Sequence, residues 1–152
     1  MSMDMPFDCG RVRARFDSDA LNNGDRAALR HAAKPSDMEL LPGLYRLFPG
    51  LDTGEPHHRI AYLLPYARHD ANAKPLGAQL AAAKISETRV LLVARSDSPT
   101  DIEQLRRLLR QLDTALDWKA FGKLLWDWDE FSKRKLVKDY YLAKFSPAKG
   151  AE

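Results

Sequence analysis

The chain has 152 residues, of which 45% are hydrophobic and 30% are charged, a balance typical of a globular domain and unlike that of a disordered chain. This length allows one domain or two small bundles that share an interface. The formal net charge is +3 at pH 7, which is too small to identify a nucleic-acid partner, so the placement of the arginines carries more information.

We expect no targeting signal in the N-terminal segment. Residues 1–10 contain two aspartates and no long apolar run, and no stretch of the chain approaches the roughly 20 apolar residues of a membrane span. We therefore expect a cytoplasmic protein without a membrane partner. The single cysteine, Cys9, excludes an internal disulfide and favours a reducing compartment. Residues 1–10 and 146–152 have the composition of loose ends, so we do not expect Cys9 to act as a nucleophile.

Helix signals recur in the first half of the chain. Gly24 and Asp25 precede an alanine- and leucine-rich helix, and Ser36 is the expected cap of a helix that Pro42 kinks or restarts. Pro56 opens the next predicted helix, HHRIAYLLPYARHD, which Pro65 bends or ends.

The second half begins with LGAQLAAA, a helix that Pro75 opens. VLLVA, residues 90–94, is the one run that could form a strand. Ser86 provides a helix cap before it and no turn signal occurs until Asp97, so we interpret it as part of a buried helix.

The clearest helix signal is SPTDIEQLRRLLRQL. Ser98 is the expected N-cap, Pro99 the first helical residue and Asp101 the capping-box residue. Apolar side chains then recur at helical spacing, at Ile102, Leu105, Leu108, Leu109 and Leu112.

Two further helices complete the pattern, one from Asp117 through Trp128 and one from about Glu130 to Lys144. The sequence therefore predicts an all-α fold of two small helical bundles packed together. Residues 55–56 and 70–75 are the expected joints, and we place the bundles at residues 11–72 and 73–145.

Aromatic residues of the last two helices fall on apolar stripes. Such periodicity favours core packing over exposed platforms for base stacking, although stacking contributes about 1–3 kcal/mol per base where it occurs. Trp126 lies off the main stripe and is expected to pack on the neighbouring bundle. The stripes comprise Trp118, Phe121, Leu125 and Trp128 in the first helix, and Phe131, Leu136, Val137, Tyr140 and Tyr141 in the second.

Three arginines, Arg106, Arg107 and Arg110, lie on the polar side of the best-defined helix. Glu103 can pair with Arg106 or Arg107, and Asp113 is the other acidic neighbour at helical spacing. Two interpretations stay open, a solvated charged face and a site for phosphate, which the planar guanidinium suits. Arg89 and Arg95, on the preceding helix, and Arg26 and Arg30, in the N-terminal half, could extend such a patch.

No pattern indicates catalysis. His57 and His58 are adjacent and point apart on a helix, and no cluster has the spacing of metal ligands. The chain has no Gly-rich phosphate loop and no nucleophile motif. Asp127, Asp129 and Glu130 could hold the metal of a nuclease, but they suit helix ends better. We predict neither an enzyme, nor a metal site, nor a cofactor.

Two segments resemble a known family. Residues 21–48 resemble the N-terminal signature of the CasB family, the small subunit of Cascade, the type I-E CRISPR surveillance complex. Residues 76–83 and 87–142 resemble its C-terminal half in order and spacing. NGDRAALR, LYRLF, QLRRLL with the following LDW, and the closing W…KD-Y-L pattern carry the resemblance together, whereas residues 49–75 match poorly.

The resemblance implies an all-α, non-catalytic subunit present in two copies per complex. Its partners would be the large subunit, the backbone subunits, the crRNA-containing assembly and a second copy of itself. Basic surfaces would hold the single-stranded DNA of the R-loop, including the displaced non-target strand. The alternative is a purely structural bridge with incidental nucleic-acid affinity. Motif positions and the arginine pattern together give these candidate nucleic-acid-binding residues: Arg30, Arg46, Arg89, Arg95, Arg106, Arg107, Arg110 and Lys135.

Overall fold

The computed structural model describes residues 5–146, and nine α-helices make up most of this part of the chain. The predicted all-α fold class is confirmed, with one small addition, a pair of three-residue strands. No helix in residues 5–146 has the length and apolar content to cross a bilayer. The helices are α1 (Cys9–Asp17), α2 (Asn23–His31), α3 (Pro42–Leu47), α4 (Glu55–Leu63), α5 (Leu76–Ala82), α6 (Glu87–Arg95), α7 (Thr100–Leu112), α8 (Trp118–Asp127) and α9 (Glu130–Lys144); the strands are β1 (Ala67–His69) and β2 (Thr114–Leu116), and 3₁₀ turns span Pro35–Leu40 and Leu64–Tyr66.

Most predicted helix starts are confirmed. The Ser86 side chain accepts the Arg89 backbone N–H at the start of α6, so VLLVA is helical as predicted. Asp117 caps α8 in the same way, through the backbone N–H of Lys119. Pro42 restarts the chain as α3 after a 3₁₀ turn, because a proline in the first helical turn needs no N–H partner.

Helix α1 was not predicted. Asp8 caps it by accepting the Gly10 N–H at 2.8 Å, and it buries Cys9, Val12 and Phe16. The prediction that Cys9 belongs to a loose end is wrong, since its side chain is fully buried. Burial raises the pKa of this thiol to about 12, so the nucleophilic thiolate is scarce at neutral pH. Residues 1–4 and 147–152 of the predicted loose ends lie outside the described residues.

The two strands form a parallel pair that the sequence did not predict. Helix α4 ends at Leu63, before a 3₁₀ turn that contains Pro65, so the prediction that Pro65 bends or ends this helix is confirmed. The residues after this turn form a strand, which was not expected. Arg68 of β1 stands opposite Ala115 of β2 in the register. The Trp118 ring fixes the pair, because its Nε1–H donates to the Ala67 carbonyl at 2.9 Å. The pairing brings residue 68 beside the end of α7.

One continuous core joins elements from both halves of the sequence. Helix α4 packs on α7 and α8, and α1 packs on α8. Because the core is continuous, these contacts do not test the proposed boundary between the two bundles near residue 72, which stays a prediction. The largest fully buried side chains include Phe16, Phe48, Tyr62, Trp118 and Tyr140.

The aromatic stripes are mostly core, as predicted. Trp118 and Tyr140 are buried, and Trp126 packs against Phe7 and His57 with ring centroids 5.4 and 5.1 Å away. Phe131 is the exception: 80% of it is exposed, so its assignment to an apolar side was wrong.

The start of α7 differs from the prediction. The helix begins at Thr100, the residue before it is Pro99, and no side chain caps it, so Ser98 is not the N-cap. Asp101 is buried instead of forming a capping box. Its carboxylate pairs with Lys133 at 2.9 Å and accepts the Trp128 Nε1–H at 2.8 Å. This acid ties α7 to the end of α8 and to α9.

Gly77 sets the distance between α5 and α9. A Cβ atom at this position would lie 2.4 Å from the Leu136 carbonyl oxygen and 2.7 Å from the Tyr140 backbone nitrogen. Because these are backbone atoms, the helices must separate to admit a methyl group. We expect Gly77→Ala to lower the free energy of unfolding by about 2–3 kcal/mol, measured by urea denaturation.

Gly54→Ala is the matched control for that substitution. A Cβ at residue 54 would find its nearest neighbour, a Pro56 side-chain carbon, at 3.9 Å. We expect Gly54→Ala to lower the free energy of unfolding by no more than about 1 kcal/mol, since alanine is only a less favourable N-cap residue than glycine at the start of α4. Equal losses of unfolding free energy in Gly77→Ala and Gly54→Ala would contradict the close contact between α5 and α9.

Candidate nucleic-acid interface

Helix α7 presents its three arginines differently. The side chains of Arg107 and Arg110 are exposed and make no hydrogen bond or ion pair to any residue between 5 and 146. Arg106 turns inward: its Nη1 donates to the Ala32 carbonyl, and its guanidinium carbon lies 4.4 Å from the Tyr62 ring centroid. Arg106 therefore anchors α7 to α2 and α4, while the other two arginines face solvent with their full charge.

The expected acidic partners do not neutralise these arginines. Glu103 forms no ion pair within the described chain, so its predicted pairing with Arg106 or Arg107 is wrong. Asp113 pairs with Arg68 instead, at 3.5 Å. The strand pair explains this, because it places Arg68 closer to Asp113 than helical spacing places Arg110.

Arg89 and Arg30 flank this helix. Arg89 is half-buried and its Nη1 donates to Gln111 Oε1 at 2.5 Å, which places α6 beside the last turn of α7. Arg30 is exposed at the end of α2, where its carbonyl accepts the Tyr66 hydroxyl and its guanidinium carbon lies 6.0 Å from the Phe16 ring centroid. We call the resulting surface the α7 face, defined by the side chains of Arg30, Arg89, Arg107 and Arg110, while Arg106 lies beneath it.

A cleft of about 250 Å³ adjoins the α7 face at the end of α7. Arg68 enters it from β1, a residue that sequence reasoning missed because no local pattern signals a parallel pair between segments 47 positions apart. We call it the Asp113 cleft. Its lining is Pro65, Tyr66, Ala67, Arg68, Leu109, Arg110, Asp113 and Thr114.

Arg46 lies elsewhere, in an ion pair with the buried Asp25. Asp25 and Asn22 cap α2 reciprocally, the Asn22 side chain accepting the Asp25 N–H at 2.7 Å. Burial alone would raise the pKa of Asp25, but the hydrogen bond with Asn22 and the Arg46 guanidinium outweigh it and hold this pKa below its usual value. Arg46 thus has a structural task, and a contact with nucleic acid stays a prediction.

Arg95 and Lys135 are also separate from the α7 face. Arg95 lines a groove of about 410 Å³ between α6 and α9, together with Arg134 and Lys138. Lys135 pairs with Asp139 at 3.1 Å and borders an apolar cleft between α5, α8 and α9. No described contact joins either residue to the α7 face, so their binding roles stay predictions.

The carboxylates considered for a nuclease site are engaged in local contacts. Asp129 accepts the Ser132 N–H at 2.9 Å as the cap of α9, and this hydrogen bond lowers its pKa. Asp127 pairs with Lys123 and Glu130 with Arg134. In the described part of the chain, no group of three or more His, Cys, Asp or Glu side chains could hold a metal ion.

Comparison with known proteins gives concordant matches. The family model described as CRISPR-associated protein Cse2 matches residues 25–141. The CRISPR system Cascade subunit CasB of Escherichia coli (strain K12) is 29% identical in an alignment of 138 residues, and the match covers 80% of this chain and 86% of that protein. A chain in the crystal structure of E. coli Cascade bound to a PAM-containing dsDNA target superposes with a TM-score of 0.80 at 26% identity, over 91% of this chain and 99% of that one.

Proposed function

Because the chain belongs to the family of CRISPR-associated protein Cse2, we propose that it is a non-catalytic subunit of a Cascade complex, and that its α7 face holds the backbone of single-stranded nucleic acid in the R-loop. The observation that carries this proposal is the pair Arg107 and Arg110. Both are exposed cations on helix α7, and neither side chain has a partner in residues 5–146.

The physics of the R-loop suits such a subunit. Opening a DNA duplex to form an RNA–DNA heteroduplex is a nearly balanced exchange, so modest contacts to the strands can tip it. Each phosphate that an arginine neutralises releases counterions and adds affinity without regard to base sequence. Base pairing with the guide would supply specificity, and the small net charge of +3 limits indiscriminate binding.

The proposed partners follow from the relatives. One relative is a Cascade subunit, and the similar solved chain belongs to a Cascade assembly bound to double-stranded DNA. We propose that this chain likewise joins the large and backbone subunits around a crRNA, with a second copy of itself, in the cytoplasm. The engagement of Asp127, Asp129 and Glu130 in caps and ion pairs supports a non-catalytic role.

The test is fluorescence anisotropy of the full chain with labelled single-stranded and duplex DNA over a salt series. We expect binding that weakens steeply with salt and differs little between base sequences, with a log–log slope of about −0.7 per contacted phosphate on single strands. Absence of binding at low salt would contradict a preformed DNA surface on the free protein.

A structural bridge is the second candidate function. Leu40 and Phe131 are 81% and 80% exposed, and a bridging role would bury both against other subunits. In this case, charge reversal on the α7 face would impair assembly of a reconstituted complex, and any complex that still forms would hold its R-loop normally. A loss of R-loop stability in fully assembled complexes favours the first function.

A further inference from the structure

The Asp113 cleft is lined by two arginines and one carboxylate. Arg68 Nη1 lies 3.5 Å from Asp113 Oδ1, and Arg110 lines the same cleft without a partner in residues 5–146. The cleft's two hydroxyls are already used. Tyr66 donates to the Arg30 carbonyl and Thr114 donates to Gln79 Oε1 at 2.7 Å. The two guanidiniums are therefore the groups left to receive an anion.

Asp113 is poorly placed to stabilise the fold. It is the C-cap residue of α7, where the negative end of the helix dipole disfavours an acid. Its side chain is 90% exposed and that of Arg68 is 63% exposed, so the ion pair contributes little to stability. The carboxylate nevertheless stands where a bound anion would meet Arg68.

We propose that the Asp113 cleft is a phosphate subsite in which the Asp113 carboxylate occupies the anion position until a phosphodiester displaces it. Arg68 and Arg110 then donate to the phosphate oxygens, and the already exposed Asp113 side chain turns away from Arg68. The volume of about 250 Å³ admits a phosphate group with part of its sugar. This proposal rests on the proposed function. It adds a phosphate contact made by Arg68 and Arg110, and it makes the Asp113 carboxylate the competitor of the phosphate for Arg68.

The competitor gives the subsite a preference for polymers. A free phosphate ion must displace Asp113 by its own affinity alone. A phosphate in a strand already held by Arg107 reaches the cleft at a high effective concentration, so it displaces the carboxylate more readily. We therefore expect the cleft to bind the phosphates of a nucleic-acid strand in preference to free phosphate ions.

The substitution Asp113→Asn tests the competition. Asn tolerates the left-handed backbone of this residue, whose φ is 46°, so the fold should persist. In anisotropy titrations of the full chain with labelled oligo-dT, we expect about threefold tighter binding, because a weak exposed ion pair no longer has to break. Asp97→Asn is the control: this exposed acid forms no ion pair within the described chain, and its loss adds the same charge.

A double variant shows whether the gain acts through Arg68. In the Arg68→Gln background, Asp113→Asn should no longer tighten binding. The ion pair between Arg68 and Asp113 is already absent there, and so is the guanidinium that would bind the phosphate. Equal gains from Asp97→Asn and Asp113→Asn, or a gain that survives in the Arg68→Gln background, would overturn the proposal.

Inorganic phosphate separates this proposal from the proposed function. We expect phosphate to shift the NMR signals of the Arg68 and Arg110 side-chain Nε–H groups, at lower concentration in Asp113→Asn than in the wild type. If DNA binding fails but these shifts occur, the subsite stands and the proposed function fails. If DNA binds without the Asp113→Asn gain and phosphate leaves both signals unchanged, only the subsite fails. If Asp113→Asn strengthens assembly with protein subunits alone, the occupant is an acidic side chain and the phosphate subsite is overturned.

Discussion

Replacing Asp101 by alanine is expected to destabilise the protein by about 3–5 kcal/mol, the cost of removing one partner of a buried ion pair. The Asp101 side chain is 2% exposed and that of Lys133 is 17% exposed. Without the carboxylate, the lysine cation loses its counterion at a poorly hydrated site, and the Trp128 Nε1–H loses its acceptor. The Ser96 carbonyl, which accepts from Lys133 at 2.8 Å, cannot replace a full negative charge.

Urea denaturation of the full chain measures this loss. For a chain of this size the melting temperature should fall by about 2–4 °C per kcal/mol. Glu130→Ala is the control, because it breaks an ion pair with Arg134 whose side chains are 78% and 72% exposed and should cost under about 1 kcal/mol. The double variant Asp101→Ala, Lys133→Met should recover part of the loss, since it leaves no buried charge unpaired. An Asp101→Ala variant as stable as Glu130→Ala would refute the assigned role.

The misreading of Asp101 shows what local sequence can and cannot predict. A Ser-Pro-x-Asp pattern before an apolar helix is a normal capping signal, and it correctly indicated that a helix follows. The local pattern does not indicate which residues, distant in sequence, the Asp101 carboxylate contacts in the fold. Lys133 and Trp128 reach Asp101 only because α8 and α9 fold back onto the start of α7.

The two longest helices were predictable from the sequence, and some shorter elements were not. Helix α7 has strong apolar periodicity, whereas α9 has weak periodicity but begins after the acidic cap Asp129 and ends at a lysine, and the sequence placed both within two residues. Helix α1 offers three buried apolar residues among charges, so its stability comes from burying Cys9 and Phe16 against the rest of the fold. The parallel strands are three residues each and depend on tertiary contacts such as that of Trp118 with Ala67.

The candidate site was predictable to the same extent. Helical spacing grouped the arginines of α7, because that grouping needs only the 3.6-residue period. It could not show that Arg106 turns inward onto Tyr62, or that β1 delivers Arg68 to Asp113. The orientation of Arg106 and the position of Arg68 depend on the elements that pack against α7, and the sequence of α7 alone does not indicate which elements these are.

Reversing the two exposed charges of α7 is the variant with the largest expected effect on binding. We expect Arg107→Glu, Arg110→Glu to weaken binding to single-stranded DNA by about 10- to 100-fold near 0.1 M salt, which corresponds to about 0.7–1.4 kcal/mol per position. The magnitude of the salt slope should fall by about 0.7 for each phosphate that the variant no longer neutralises. Arg106 is left intact, because its bond to the Ala32 carbonyl and its place over Tyr62 are structural.

The matched control is Lys74→Glu, Lys119→Glu, which changes the net charge equally. Both lysines are exposed, and neither has an ion pair within the described chain. If the α7 face is the binding surface, the control should keep most of the affinity and the full salt slope, while both variants melt like the wild type. If both lose affinity equally, binding follows net charge alone. If neither changes binding but the α7 variant fails to assemble, Arg107 and Arg110 contact protein, and the structural bridge becomes the better account of this subunit.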